Sequence, residues 1–227
     1  MILTLEDKIE RFADVYSFFF KSGNPLAWQA GQFMYFTIEH ENPDDRGVSR
    51  YFSLSSAPHE EIIMITTRFF GESSSTFKKA LLKLQKGAEI TASQPQGEFV
   101  INNLDESYVL IAGGIGITPF RSILLDLDYR KKLNDIEVYL LYSNRTDKIV
   151  FKENFDILAN KNHKFKVRYI ISPEVCNVDL IKTVVPNFSQ INYYISGPIG
   201  MVKSVEDGLI LEKLPESRLR LDYFPGY

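Results

Sequence analysis

The pattern of hydrophobic and polar positions changes near residue 103. Before that point, short runs of β-branched and aromatic residues are separated by turn residues, which predicts an antiparallel sheet closed into a small barrel. The predicted strands are 9–20, 31–38, 51–54, 62–67, 88–92 and 98–101, with turns at 24–25, 42–45, 57–58 and 95–97. One helix, 76–84, interrupts the strands, because Phe77, Ala80, Leu81 and Leu84 recur at helical spacing.

After residue 103, buried runs alternate with helical segments, which is typical of a parallel sheet covered by helices. The predicted strands are 108–112, 136–142, 166–171, 192–196 and 218–221, and the predicted helices are 119–131, 151–160, 178–184 and 199–210. A polar linker, 102–106, separates the two patterns. We therefore predict a β-barrel domain over residues 1–102 and an α/β domain over residues 103–227.

The composition narrows the classes of function. Hydrophobic residues make up 44% and charged residues 24% of the 227 positions, as in globular proteins, and the net charge of -3 gives no basis for binding nucleic acid. No apolar run reaches the roughly 20 residues that span a bilayer, and the first residues lack a signal-peptide core. The single cysteine, Cys176, excludes an internal disulfide and suits a reducing compartment, so we expect a cytoplasmic protein. The three histidines are scattered, and we predict no metal site.

A glycine-rich turn follows the first predicted strand of the second domain. Residues 113–119 read Gly-Gly-Ile-Gly-Ile-Thr-Pro, and a helix is predicted to begin there. Glycines let a ligand approach the backbone, and free amides at a helix start attract anions. Thr118 is predicted to cap the helix, and Pro119 is predicted to be its first residue. This turn suits a dinucleotide pyrophosphate; the alternative is a tight turn without a ligand.

Two segments of the first domain carry residues that suit a flavin. The run Arg50-Tyr51-Phe52-Ser53 combines a cation that suits phosphate, a ring that can stack on isoalloxazine, and a hydroxyl. The alternative is an ordinary barrel strand with an exposed arginine. Residues 71–76 open the helix of the barrel, where Ser74 or Ser75 can cap it and its amides can hold a second anion. The alternative there is a capped helix with a polar lead-in.

Two further segments lie near the C-terminus. Residues 193–201 run from a strand through a Gly-Pro turn into a helix, and such turns lie at the ligand-binding edge of a doubly wound sheet. The alternative is a structural turn. The last six residues, 222–227, contain three aromatic side chains, which suit either docking over a flat cofactor or closing a barrel seam.

In their order along the chain, these motifs resemble the ferredoxin–NADP reductase superfamily. The matching residues are Arg50-x-Phe52-Ser53, Gly71 to Thr76, Gly114-x-Gly116-x-x-Pro119, Ser196-Gly197-Pro198 and the carboxylate–aromatic tail. The resemblance covers nearly the whole chain and is nearest to cytochrome-b5-reductase-like and oxygenase-reductase-like members. It implies a flavin barrel followed by an NAD(P) domain, and it favours FAD over FMN.

The resemblance also implies roles for the matched residues. Arg50 would meet a flavin phosphate, Phe52 would stack on the ring, and Ser53 would reach the flavin N5 region. The other implied flavin-binding residues are Tyr51, Thr66, Thr67, Ser74 and Ser75, and those for the nicotinamide nucleotide are Gly114, Gly116, Thr118, Pro119, Ser196, Gly197, Pro198 and Met201. Asp222 stands where a longer acid is common, and Phe224 would cover the flavin. The expected catalytic residues are Ser53, Ser196, Asp222 and Phe224.

Two residues depart from the family pattern. Phe52 stands in place of a tyrosine, which removes a hydroxyl contact to the flavin. Ser196 stands in place of a cysteine, and a misplacement of about 1 Å of the nicotinamide can slow a reaction about a hundredfold. After the second sheet strand, Ser143 and Arg145 favour NADPH over NADH, because an arginine there can read the extra phosphate. The alternative is that Arg145 is solvated or pairs with Asp147.

Together these features predict an NAD(P)H-dependent flavin oxidoreductase that passes electrons through FAD to a separate acceptor. A separate acceptor is expected because the chain lacks the cysteines of an iron–sulfur cluster. The candidates are ferredoxin, rubredoxin, a haem protein, an oxygenase component and a small molecule. A flavin- or nucleotide-binding regulatory module without significant turnover is the alternative suggested by Phe52 and Ser196. A two-domain protein without flavin is the third interpretation.

Overall fold

The computed structural model describes residues 1–224, which divide after Val100 into two compact units. The division falls close to the domain boundary predicted after residue 102. The extents of the two functional domains, 1–102 and 103–227, remain predictions. Among the described helices, none is long and apolar enough to cross a membrane.

The first unit is a six-stranded antiparallel sheet with one α-helix, α1 (Thr76–Lys83). Its strands are β1 (Ile2–Phe12), β2 (Val15–Ser22), β3 (Phe33–Thr37), β4 (Ser49–Ser53), β5 (Ile63–Arg68) and β6 (Glu89–Ala92), in the order β4-β3-β6-β1-β2-β5. The backbone of Ser55, just after β4, donates a 2.7 Å hydrogen bond to the Met64 carbonyl in β5. The two edge strands therefore meet, as in the predicted barrel.

Alternation along the strands builds the interior of this unit. Phe18 and Phe20 on β2 and Met34 and Phe36 on β3 are fully buried, while the residues between them are more exposed. Phe77 on α1 joins the same hydrophobic cluster, so the helix packs onto the sheet by its apolar face. The amphipathic spacing that predicted this helix therefore also identifies its packing surface.

Two predictions for this unit were wrong. The segment 9–20 is not one strand: β1 and β2 form a hairpin that turns between Phe12 and Val15. Residues 98–101 form no strand, although their hydrophobic composition suits one. A β-rich composition indicates an extended backbone, but it does not provide a neighbouring strand to pair with.

The second unit is a five-stranded parallel sheet, as its strand–helix alternation predicted. The strands are β7 (Tyr108–Gly113), β8 (Val138–Asn144), β9 (Phe165–Ile171), β10 (Asn192–Pro198) and β11 (Leu219–Phe224), in the order β11-β10-β7-β8-β9. The helices are α2 (Thr118–Tyr129), α3 (Lys152–Lys161), α4 (Val178–Val184) and α5 (Ile199–Leu211). From β7, the strands β8 and β9 are added on one side of the sheet, and β10 and β11 are added on the other side. The strand order therefore has its switch point between β7 and β10. In open α/β sheets, ligands bind at the switch point, beyond the carboxyl ends of the strands.

Candidate functional site

The two predicted glycine turns of the second unit touch each other at this switch point. A Cβ atom added to Gly116, after β7, would lie 2.4 Å from the Ser196 carbonyl oxygen in β10. One added to Gly113 would lie 2.5 Å from the Met201 Sδ atom. Both turns thus require the absence of a side chain, and the backbones of β7 and β10 approach each other closely there. Met201 packs between the turns, whatever further role it has toward a nucleotide.

Gly114 has a different reason to be glycine. Its φ is +53°, in the left-handed region, and no atom lies within 4 Å of the place where its Cβ would be. The backbone is therefore open on this side, as a ligand-binding turn requires. Gly114 to Ile117 form a 3₁₀ turn that leads directly into α2.

The predicted cap of α2 is wrong. The capping position is Ile117, and Thr118 is already the first helical residue and makes no side-chain cap. Thr118 and Pro119 are both buried in the first turn of the helix. The backbone is already helical in the 3₁₀ turn at Gly114–Ile117, one turn before Thr118 and Pro119. Roles for Thr118 and Pro119 in nucleotide binding remain predictions.

The end of β8 carries the residues that were expected to read the nucleotide ribose. Ser143 is half-buried and pairs in register with Gly113 of the glycine turn. Arg145 is exposed, and within residues 1–224 it forms no ion pair with Asp147 or any other carboxylate. The guanidinium is thus available beside the ligand edge.

Ser196 and Asp222 meet at the same edge. The two residues are paired in the β10–β11 ladder, and the fully buried Ser196 hydroxyl donates to Asp222 Oδ2 at 3.2 Å. Phe224 pairs with Pro198 and closes β11, so the described part of the tail is a strand. Residues 225–227, including the third aromatic residue of the tail, lie outside the described residues. The Ser196–Asp222 pair forms a short polar connection between β10 and the edge strand β11.

In the first unit, β4 does not present its residues as expected. Phe52 faces the interior, where its ring centroid lies 5.9 Å from that of Phe36 and 5.8 Å from that of Phe77. The side chain is 7% exposed, so it offers little ring surface to a ligand. Tyr51 lies on the opposite face, with its centroid 5.6 Å from that of Phe33. The expectation of an open Phe52 ring is wrong; Tyr51 is the outward ring of this motif, because alternate residues of a strand face opposite ways.

Arg50 is buried and already bonded, so the alternative of an exposed arginine is also wrong. Its Nη1 donates to the carbonyls of Arg46, Gly47 and Ser49 at 2.7–2.9 Å, and its Nη2 donates to Asp44 Oδ1 at 2.5 Å. Its Nε is buried without a hydrogen-bond partner. The guanidinium thus holds the loop between β3 and β4 by hydrogen bonds, and its Nε donor is left without a partner.

Lys78 and Asp44, which sequence reasoning missed, complete a charged cluster around Arg50. Lys78 on α1 is 6% exposed and donates from Nζ to the Arg68 carbonyl at 2.9 Å. Burial, together with the charges of Arg46 and Arg50, lowers the Lys78 pKa to about 8. Burial opposes the ionisation of Asp44, but hydrogen bonds and charge from the two arginines hold its pKa at about 2. We call Arg46, Arg50 and Lys78, with Asp44, the cation cluster.

The serines at the start of α1 behave as caps. Ser75 is the capping residue, and its hydroxyl accepts from the Lys78 amide at 3.3 Å, as predicted. Ser74 Oγ accepts from the Phe70 amide at 2.7 Å. The Asp44 amide donates to Thr76 Oγ1 at 3.0 Å, which ties the cation cluster to the positive end of the helix. Phosphate binding by Ser74 and Ser75 remains a prediction.

The remaining flavin residues are buried in the first unit. Thr66 Oγ1 lies 2.8 Å from Ser17 Oγ and accepts from Ser55 Oγ at 3.1 Å, so its hydroxyl is hydrogen-bonded to two serines inside the unit. Thr67 is 4% and Ser53 is 6% exposed. Contacts between these residues and a flavin remain predictions.

Comparisons with known proteins agree with this architecture. Residues 110–207 match the family described as Oxidoreductase NAD-binding domain, and they include both glycine turns. A component of the Na(+)-translocating NADH-quinone reductase of Idiomarina loihiensis is 32% identical over 143 residues, which cover 59% of this chain and 34% of that protein. Flavohemoprotein A from Dictyostelium discoideum is 23% identical over 97% of this chain and 59% of its own length. The chain thus spans about a third to three fifths of these relatives.

A solved structure shares the fold over its whole length. The crystal structure of a ferredoxin NADP+ reductase from Neisseria gonorrhoeae with bound FAD and NADP superposes with a TM-score of 0.80 and 15% identity. The match covers 99% of this chain and 98% of that one. The two-domain fold predicted from the sequence, an antiparallel barrel unit followed by a parallel α/β unit, is therefore confirmed.

Proposed function

We propose that the protein is an NAD(P)H-dependent flavin oxidoreductase, with FAD held by residues 1–102 and the nicotinamide nucleotide by residues 103–227. The observation that carries this proposal is the pair of glycine turns in mutual contact at the switch point between β7 and β10. Their backbone is open at Gly114, where a dinucleotide can approach, and they lie within the matched NAD-binding region. FAD, when bound, accepts a hydride from NAD(P)H and passes the electrons on singly or in pairs.

The first unit fits the phosphates of FAD. Arg46 and Arg50 both bond to the Asp44 carboxylate near the start of α1, and the buried Nε donor of Arg50 has no hydrogen-bond partner. A phosphate would satisfy this donor. On the outer face of β4, Tyr51 offers the ring that the buried Phe52 does not.

The residues of the second unit would orient the nucleotide. The buried Ser196 hydroxyl donates to Asp222, so this pair would fix the carboxyl ends of β10 and β11 beside the nucleotide. Exposed Arg145 beside Ser143 supports NADPH as the preferred donor, because a guanidinium suits the extra phosphate. Phe224 closes β11 beside Pro198 and is our candidate for covering a cofactor ring.

The acceptor would lie in a separate protein or in a further domain. Relatives are named for a quinone reductase and a haem protein, and the similar fold is that of a ferredoxin reductase. Ferredoxin, rubredoxin, a haem protein or an oxygenase component are therefore the proteins to test. The free, buried thiol of Cys176 supports a cytoplasmic location.

The test is the visible spectrum of the purified protein. We expect a yellow protein, or one that becomes yellow with added FAD, whose flavin band bleaches on anaerobic mixing with NADPH and more slowly with NADH. A flavin band that neither nucleotide bleaches would refute the oxidoreductase and favour the regulatory module. A colourless protein that takes up no FAD would refute both.

A further inference from the structure

We propose that Arg11 is a positioning residue for the flavin: through a chain of buried hydroxyls, it makes Thr66 a hydrogen-bond donor to the isoalloxazine ring. This inference rests on the proposed function, because it concerns how the first unit would hold and tune FAD. Arg11 and Ser17, the residue that links it to Thr66, lie outside all the motifs of the chain.

A chain of hydrogen bonds crosses the first unit from β1 to the residues after β4. Arg11 Nε donates to Ser17 Oγ at 3.0 Å, and Ser17 Oγ lies 2.8 Å from Thr66 Oγ1. Ser55 Oγ donates to the same Thr66 Oγ1 at 3.1 Å. All three hydroxyls belong to buried residues. Because a buried hydroxyl is costly unless it is bonded, these side chains form one network in which each supports the next.

Arg11 enters this chain in a fixed direction. Its guanidinium carbon lies 5.9 Å from the centre of the Phe19 ring, and its Nη2 donates to Met64 Sδ at 3.9 Å. These contacts on two sides hold the Nε atom toward Ser17. A guanidinium has only donors and keeps its protons in proteins, so Ser17 accepts from Arg11 under all conditions.

The chain contains one more proton than it uses. Arg11 Nε and the three hydroxyls supply four donors, but only three bonds join them. Arg11 and Ser55 each donate inward, so the surplus proton belongs to Ser17 or to Thr66. Within residues 1–224, neither of these two side chains forms another hydrogen bond. This count follows from the protein side chains alone and is the same with and without a bound flavin.

The charge of Arg11 decides between the two hydroxyls. A hydroxyl that accepts from a cation is polarised and becomes a better donor, so Ser17 gives its proton to Thr66. Thr66 then accepts two bonds and keeps its own O–H for a further acceptor. The reverse order would leave the surplus donor on Ser17, which is 0% exposed and out of reach of any ligand.

Thr66 lies beside the strand that is proposed to bind the flavin. The Ser55 amide, two residues after Ser53, joins β5 by donating to the Met64 carbonyl at 2.7 Å. Thr66 follows Met64 by two residues, so their side chains share one face of β5 at this junction. The isoalloxazine ring carries acceptors at N1, N5 and its carbonyl oxygens, and Thr66 holds the donor that the chain does not use. A donor polarised by a cation favours the extra negative charge of the reduced ring.

The experiment measures the two-electron reduction potential of bound FAD in the full-length protein. Arg11→Met and Ser17→Ala each break the chain before Thr66. Each should make FAD about tenfold harder to reduce, which corresponds to about 30 mV for a two-electron couple. The double variant should show the same shift as either single variant, because Arg11 acts only through Ser17. Lys21→Met is the control for charge: Lys21 is exposed on β2 and forms no side-chain bond in the described chain, so we expect less than about a twofold change.

Thr66 is tested by a matched pair of variants. Thr66→Val removes the hydroxyl at nearly constant volume and should lower the potential as much as Arg11→Met does, while Thr66→Ser keeps the O–H and should retain the native potential. Additive shifts of Arg11→Met and Ser17→Ala would mean that the arginine acts through space, which would overturn the inference. A native potential in Thr66→Val would overturn it as well.

A third measurement needs neither a variant nor FAD. In the flavin-free native protein, the Ser17 hydroxyl proton is held in its bond to Thr66 and should exchange with water more slowly than the Thr66 hydroxyl proton, as measured by NMR. Slower exchange at Thr66 would place the surplus proton on Ser17 and contradict the inference, even if the variants fail to fold. If the native chain binds no FAD, the proposed function fails, and this order of exchange still decides the direction of the chain.

Discussion

Gly116→Ala should disrupt the proposed nucleotide site through a single methyl group. The new Cβ would lie 2.4 Å from the Ser196 carbonyl oxygen, 2.6 Å from its carbon and 2.7 Å from Gly197 Cα. All three are backbone atoms of β10, so no side chain can rotate away. Ordinary contact begins at 3.4 Å, so the turn and the strand must separate by about 1 Å.

The magnitude follows from that displacement. Overpacking of this kind costs about 1–3 kcal/mol, which lowers the melting temperature of the unit by roughly 3–12 °C. A shift of about 1 Å in the groups that position a substrate can slow a reaction about a hundredfold. We therefore expect flavin reduction by NADPH to slow by about that factor while the protein keeps its flavin.

Two other glycines supply the controls. Gly200→Ala places a methyl in open space near the start of α5 and should stabilise the protein by about 0.4–1 kcal/mol. Gly114→Ala also meets no atom, so its cost reflects only the +53° φ. Urea unfolding and rapid-mixing reduction by NADPH measure both effects. If Gly116→Ala matches Gly200→Ala in stability and in rate, the two turns do not approach each other as closely as described.

Three further predictions concern charge and hydrogen bonding. The folded pKa of Lys78 is lowered to about 8 from 10.5, so the stability of the flavin-free protein should rise from about pH 8 to about pH 10.5; Lys78→Met should remove this rise in urea unfolding, and an unchanged pH profile would refute it. If Ser196 lies beside the nicotinamide as proposed, Ser196→Cys should speed flavin reduction by about tenfold in rapid mixing, because sulfur is larger and more polarisable; equal rates for the cysteine and alanine variants would contradict this. Arg145→Ala should weaken NADPH binding by about 1.5–3 kcal/mol and leave NADH unchanged in equilibrium titrations; a parallel loss of both would point to a structural role.

Periodicity predicted the second unit well because its strands are largely buried and each helix has one apolar side. Strands that alternate with helices are compatible with few topologies other than a parallel sheet covered by helices. The described α-helices of this unit begin within one residue of the predicted positions. The turn between β1 and β2 was missed because Ala13-Asp14 carries neither glycine nor proline. Thr118 was misassigned because the 3₁₀ turn before α2 has no side-chain signature.

The candidate site was harder to predict for a physical reason. Strand parity shows that Arg50 and Phe52 share one face of β4, but it does not show whether that face is the interior. The partners that decide the behaviour of Arg50 come from a loop and from α1, and no spacing rule links Asp44 to Lys78. The glycine turns were easier to find, because a missing side chain is visible in the sequence itself.

The contact between the two glycine turns has a mechanical consequence. The two turn backbones approach closely, with Met201 packed against both, so the ends of β7 and β10 cannot shift independently. A nucleotide bound at either turn would therefore constrain two strands that lie more than eighty positions apart along the chain.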